Sequence, residues 1–409
     1  MSVDMVTASG ILPVDDGQAV LIGRVWDTET QGPRPVRIVG EQVYDLFELA
    51  CTVSELFELE DAAQVVRDST AKPRWRLSEL VHASLERRPE LPHLLAPVDL
   101  QVIKACGVTF VDSMVERVIE ERSAGDPKRA AEIRKAVAGP LQAEIGEVKP
   151  GSLAAERIKE VLLAEGLWSQ YLEVGLGPDP EIFTKAPVLS SVGYGAQIGI
   201  PAFSKWNNPE PELALVIDSH GRPIGATLGN DVNLRDVEGR SALLLGMAKD
   251  NTASSALGPF VRIFDDNFTL DTLRNERIAL RVDGSVDGYL LEGENNVARL
   301  SRPFEQLIDA AYGSHHQYPD GFVLYTGTLF APTQDRGIPG AGFTHKMGDR
   351  VSISSPHLGT LINEVAPTQC VPRWDFGVRS LMNYIQRILP ATYVRTQREP
   401  SRTASRSPG

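Results

Sequence analysis

Over residues 1–95, short apolar runs such as Ala19-Val20-Leu21-Ile22 alternate with turn-rich connections, and a stretch from about Leu46 to Phe57 has helical spacing. This mixture predicts a small α+β domain. Asp126 followed by Pro127 has the cap and first-turn chemistry of a helix start, and a polar, Ala-rich run continues to about Ile145. A further helix is expected behind it. Ser152 would cap it, Leu153, Ile158, Val161 and Leu162 would share a face, and Gly166 would stop it, so residues 111–166 read as mostly helical. From Lys185 onward the pattern changes to short β-prone runs between Gly, Pro, Asn and Asp. Examples are Leu213-Ala214-Leu215-Val216-Ile217, Ile278-Ala279-Leu280-Arg281-Val282 and Gly321-Phe322-Val323-Leu324-Tyr325, which imply a β-rich body. No fixed-period repeat suggests a solenoid or propeller. Arg395 to Gly409 is mostly Arg, Ser, Thr and Pro with little to bury. The expectation is an α+β chain with an N-terminal domain at 1–95, a β-rich domain at 96–391 and a disordered tail at 392–409.

Length and charge narrow the partners. A chain of 409 residues is long enough for one large catalytic domain with a smaller companion. Its net charge of -13 argues against a nucleic-acid surface or a polybasic membrane patch, both of which need excess Lys and Arg. A small-molecule partner is expected, with no nucleic acid and no membrane. Cys51, Cys106 and Cys370 form no close pair, so neither a disulfide framework nor a thiolate zinc site is suggested. The amino terminus lacks a basic patch followed by an apolar run, and no apolar stretch approaches a membrane span. A cytoplasmic location is the expectation.

The candidate chemistry starts at Asn207-Asn208-Pro209-Glu210-Pro211-Glu212, just before an apolar strand. Side chains two apart on a strand share a face, so Glu210 and Glu212 converge. Two such carboxylates repel unless a proton or cation lies between them, and hard oxygen ligands suit magnesium or manganese. A solvated face is the commoner reading of Glu-x-Glu alone. After a turn at Asp218-Ser219-His220-Gly221 comes Gly229-Asn230-Asp231-Val232-Asn233-Leu234-Arg235-Asp236, and a hairpin returning from that turn would bring Asp231 to the two glutamates. A third carboxylate completes a minimal magnesium site, because magnesium keeps several waters. Turn and salt-bridge roles for Asp231, Arg235 and Asp236 remain an equal alternative on these residues alone.

Glu210-x-Glu212, Gly229-Asn230-Asp231-Val232-x-x-Arg235-Asp236 and Lys249 before Leu257-Gly258-Pro259 together resemble the metal-binding core of the fumarylacetoacetate hydrolase superfamily. Tyr325-Thr326-Gly327-Thr328, Gly348-Asp349 and Leu358-Gly359-Thr360-Leu361-x-Asn363 continue the resemblance in the family's order, over roughly residues 105–370. It implies a catalytic domain built as a mixed β-sandwich roll, with Mg2+, or Mn2+, held by Glu210, Glu212 and Asp231. It also implies a 2-keto acid substrate whose carboxylate and keto oxygen chelate the ion, which stabilises an enolate. Lys249 and Lys185 resemble pocket lysines that move protons, while Arg235, Asp236 and Thr328 fall where substrate contacts are expected. A homodimer or homotetramer is implied as well.

One departure from the family pattern narrows the activity. Hydrolases and decarboxylases of the family carry a His and a Glu that together activate water, in a segment matching Gly107 to Glu116; here Ser113 stands at the histidine position and Glu116 at the glutamate. A serine cannot replace imidazole as a general base near neutral pH. With the string Trp206 to Glu212 and the long N-terminal domain, this resembles the 2-keto-3-deoxy-D-pentonate dehydratases, hydro-lyases that give 2,5-dioxopentanoate. Glu116 would then assist departure of the hydroxyl, with Glu120 or Glu121 as substitutes, and Lys249 or Lys185 would take the C3 proton. The alternative is a carbon-carbon bond hydrolase of an acylpyruvate or diketo acid that uses the same metal. His315, His316 and His345 show no zinc spacing, and Gly337 to Gly342 lack a phosphate-loop ending.

Overall fold

The computed structural model describes residues 8–145, 148–328, 334–337 and 342–389. The expected tail at 392–409 lies outside them. Sixteen strands are described: β1 Leu21–Asp27, β2 Gly32–Val39, β3 Gln42–Asp45, β4 Pro73–Arg76, β5 His93–Leu95, β6 Val102–Gly107, β7 Glu181–Ala186 and β8 Gln197–Ile200. The later ones are β9 Pro211–Ile217, β10 Pro223–Asp231, β11 Ser255–Ile263, β12 Arg277–Asp283, β13 Leu290–Asn296, β14 Phe322–Tyr325, β15 Arg350–Ser355 and β16 Gly359–Pro367. The apolar runs from Leu213, Ile278 and Gly321 fall in β9, β12 and β14 as expected.

Eleven strands form one sheet in the order β4-β3-β2-β1-β11-β10-β9-β14-β6-β7, with β5 pairing beside β1; five form a second, β13-β12-β15-β16-β8. The strands of residues 1–95 therefore extend one end of the large sheet, and the link is antiparallel pairing of Leu21 with Arg262 and Ile22 with Val261. One core lies between the sheets, where Leu213, Leu215 and Leu228 meet Ile278, Leu280, Ile353 and Leu361. On the other face of the large sheet, Ala214, Val216, Val261 and Val323 pack with Val53, Leu56 and Phe57 of the Val53–Phe57 helix. All seven residues of β9 are buried, which explains its unbroken apolar run. Each fully buried Leu or Val there contributes roughly 1.5–3 kcal/mol. In β12, by contrast, buried and exposed residues alternate, since only one of its faces meets the core.

A helical layer occupies residues 111–176, with helices Val111–Ser123, Pro127–Ile145, Leu153–Ala164 and Gln170–Leu176. The expected caps are present. Asp126 accepts from Lys128 N at 2.9 Å, Ser152 accepts from Ala155 N at 3.3 Å, and Gly166 ends the third helix with φ +67. The buried face of that helix differs from the expected one. Leu162 and Ala155 are buried, whereas Leu153 is 73% and Val161 49% exposed, because only a narrow stripe of this helix meets the layer. The helix expected near Leu46 starts only at Val53, where Thr52 caps it by accepting from Glu55 N at 3.1 Å.

Candidate metal centre

Strands β9 and β10 form the hairpin that the turn residues predict. The Asp218 carboxylate accepts from His220 N and Arg222 N, both at 2.9 Å, and Gly221 takes φ +79. Register places Glu212 opposite Gly229 and Pro211 opposite Asn230, and Asp231 N donates to Glu210 O at 3.0 Å. Glu210, Glu212 and Asp231 thus share one face, and one carboxylate oxygen of each lies within 4.8 Å of the others. All three are buried. Gly229 is required opposite Glu212, since a Cβ there would stand 1.9 Å from the Tyr325 ring.

Two lysines reach this trio from neighbouring elements. Lys249 Nζ bridges Glu210 and Asp231, at 3.0 Å from Asp231 Oδ2. Lys185 Nζ lies 2.8 Å from Asp231 Oδ1, donates to Val232 O at 2.9 Å and also reaches Lys249 O. Two backbone carbonyls accept from the Lys185 ammonium and hold it against Asp231, with which it forms an ion pair. Glu212 instead accepts from Gly327 N at 2.7 Å.

The charges do not balance evenly. Burial, reinforced by the negative charges of Asp231 and Glu210, pushes the Glu212 carboxyl well above its usual range. Burial also acts on Asp231, but Lys185 and Lys249 outweigh it and hold the group low. Burial would lower Lys249, yet Asp231 and Glu210 overcome this and raise it. For Lys185 burial wins and the pKa falls. Burial is the largest cause of the Glu212 shift and the neighbouring carboxylates the next, so its ionised form lacks a full counter-charge. Three buried hard oxygen donors of this kind fit a divalent cation.

The helix Val111–Ser123 adds residues that sequence reasoning passed over. Arg117 donates to Glu210 Oε1 and Glu120 Oε2, both at 2.6 Å, and lies 2.8 Å from Glu238 Oε2. Its only sequence signal was an ordinary Arg–Glu pair three residues apart. Glu181, at the start of β7, is a second omission. Burial, with the charge of Glu238 next, raises its carboxyl to about 7, and it also feels Arg117, Lys249 and Glu210.

The remaining expected site residues are distributed as follows. Glu116 accepts from Arg134 at 2.8 and 2.6 Å and from Arg235 at 3.2 Å, so an arginine pair holds its carboxylate. Arg235 donates to Glu120 at 2.6 Å and stacks 4.3 Å over Trp206. Asp236 accepts from Ser204 Oγ at 2.8 Å and Lys205 N at 2.6 Å, which pins the loop leading into the hairpin. Thr328 is buried beside Gly327, the donor to Glu212. Ser113 is occupied in the first turn of its helix, donating to Phe110 O at 2.7 Å. Glu121 serves the Gln170–Leu176 helix, accepting from Gln170 at 2.9 Å.

The family model described as fumarylacetoacetate (FAA) hydrolase C-terminal matches residues 169–366. A 2-dehydro-3-deoxy-D-arabinonate dehydratase from Saccharolobus solfataricus is 33% identical over 221 residues, 52% of this chain and 68% of that one. A Haloferax volcanii protein named "Probable 2-keto-3-deoxyxylonate dehydratase" is 32% identical over 195 residues, 48% of this chain and 63% of that one. The chain thus spans about two thirds of the length of these curated relatives. Among solved structures, a 2-keto-3-deoxy-D-arabinonate dehydratase complexed with magnesium and 2,5-dioxopentanoate superimposes with a TM-score of 0.58 at 22% identity, covering 85% of this chain and 99% of that one. At that identity the likeness shows the fold.

Proposed function

The chain belongs to the fumarylacetoacetate hydrolase superfamily, in the branch of the 2-keto-3-deoxy-D-pentonate dehydratases, and from that membership we propose that it dehydrates a 2-keto-3-deoxy-D-pentonate, arabinonate or xylonate, to 2,5-dioxopentanoate. The observation that carries this reading is the buried trio of Glu210, Glu212 and Asp231, with the Lys249 ammonium bridging two of its members. When bound by these carboxylates, Mg2+ (or Mn2+) supplies Lewis acidity towards the carboxylate and keto oxygen of the substrate.

The protein's own residues supply the remaining steps. Lys249 exchanges the C3 proton: its ammonium is stabilised by Glu210 and Asp231, and it gives up that stabilisation when their charge is taken up elsewhere. Lys185 acts through Asp231, which it orients. Glu181, half protonated near pH 7, is suited to protonate the departing C4 hydroxyl as water. Loss of the C3 proton and the C4 hydroxyl leaves a 3-ene; transfer of a C5 hydrogen to C3 and tautomerisation then give the aldehyde at C5. Arg117 neutralises the acidic wall formed by Glu120 and Glu238. Glu116, Arg235 and Asp236 hold the frame around the site, and Thr328 contributes a contact to a substrate oxygen in this reading.

The hydrolase alternative needs a water-activating base, and Ser113 is tied to Phe110. Incubation with Mg2+ and 2-keto-3-deoxy-D-arabinonate, followed by NMR, should show the aldehyde of 2,5-dioxopentanoate. Pyruvate release from an acylpyruvate, without that aldehyde, would replace this reading with the hydrolase.

A further inference from the structure

The face that carries the carboxylates does not end with them. Asn208 and Asn233 form the next cross-strand pair, each N–H donating to the other's carbonyl, at 3.0 and 3.1 Å. The register is continuous with Pro211–Asn230 and Glu212–Gly229. Alternation therefore puts Asn208 in line with Glu210 and Glu212, and Asn233 in line with Asp231. Both asparagines are 0% exposed. Their amides are nonetheless underused: Asn208 Oδ1 and both Asn233 Oδ1 and Nδ2 lack a hydrogen-bond partner, while Asn208 Nδ2 donates to Pro209 O at 2.9 Å.

A buried amide without a partner loses its hydration and gains nothing in return, so such groups are uncommon where a protein has no use for them. Two side by side, continuing the ligand face of the trio, offer two acceptors and a donor at one spot. A hydroxyl both donates and accepts and matches that set; a carboxylate, which only accepts, does not.

We propose that Asn208 and Asn233 form a hydroxyl-binding subsite that selects the terminal, C5 hydroxyl of the substrate. The proposal rests on the 2-keto acid reading of the carboxylate trio. The pair thereby distinguishes a sugar-derived 2-keto acid from an alkyl one of equal length, because a site built to bind a hydroxyl rejects the analogue that lacks it.

The test uses two ligands that have no C4 hydroxyl to lose, 5-hydroxy-2-oxopentanoate and 2-oxopentanoate, titrated calorimetrically into the full chain with Mg2+. The wild type should bind the hydroxylated acid about tenfold more tightly. Asn208→Leu and Asn233→Leu should each erase that preference and leave affinity for 2-oxopentanoate and for Mn2+ unchanged. Asn233→Leu should melt at or above the wild-type temperature, since its side-chain amide has no partner, and Asn208→Leu close to it, since only the bond to Pro209 O is lost. The substitutions lie on opposite strands, so misfolding of one leaves the other as the test. Equal wild-type affinities for the two acids, or a preference that survives both substitutions, would overturn the subsite and leave the 2-keto acid reading standing. Binding of neither acid would overturn both.

Discussion

The β9–β10 hairpin carries an acidic cluster at each end, and the two differ in how their charges are satisfied. At the turn, Glu58, Asp218 and His220 also present ligand atoms within 4.8 Å of one another. There, however, Asp218 accepts from two backbone N–H groups and from Arg222 Nε at 2.7 Å, and Glu58 accepts from Ser219 N and Oγ at 2.7 and 2.6 Å. Those carboxylates shape and anchor a turn, and His220 is exposed. At the open end the trio is wholly buried, lysines from other elements reach it, and Glu212 is still pushed upward. Proximity of carboxylates is common to both ends. Of these two clusters, the one at the open end has all three members buried.

The sharpest break of this comparison substitutes one aspartate at each end. Asp231→Asn should lower turnover of 2-keto-3-deoxy-D-arabinonate by more than about a hundredfold and, by leaving two buried lysines short of a partner, cost roughly 3–5 kcal/mol in urea unfolding. Asp218→Asn should leave kcat within about twofold of wild type. Next, Lys249→Met should reduce kcat by about 10²–10⁴-fold while the thermal transition stays cooperative, which would separate a proton-transfer role from a structural one.

A smaller effect concerns pH. Glu181, raised to about 7, is protonated below that pH and ionised above it, so a role as acid makes kcat fall as pH rises through 7. Stability follows the same sign. The folded pKa lies above the unfolded one, so this carboxyl's contribution is full below about 4.5 and is lost as pH rises towards 7. A pH–rate profile of Glu181→Gln should lose that limb. The smallest change is expected at the turn, where Glu58→Gln should cost roughly 0.5–1.5 kcal/mol from weakened bonds to Ser219 and leave catalysis unaltered.

The sequence made the hairpin and its trio legible because both follow local rules: a period of two along β9, turn chemistry at Asp218 to Gly221, and a return strand ending at Asp231. The helix caps at Asp126 and Ser152 were legible for the same reason. What escaped depends on docking between distant segments. Nothing local distinguishes Arg117 from a surface residue until its helix lies against Glu210. Glu181 is an unremarked strand-start glutamate until β7 half-buries it within reach of the Glu238 charge. The pairing of β1 with β11, which joins the N-terminal strands to the large sheet, likewise has no signal in either segment alone. The Leu153–Ala164 helix shows the converse: its apolar spacing overstated its contact, since Leu153 and Val161 face outwards.

The most direct test of the central claim is an electron paramagnetic resonance titration of Mn2+ into the wild type, Asp231→Asn and Asp218→Asn. One tight site per chain, lost in Asp231→Asn and kept in Asp218→Asn, is the predicted result. A site that survives Asp231→Asn, or that disappears with Asp218→Asn, would contradict the assignment of the metal to the open end of the hairpin.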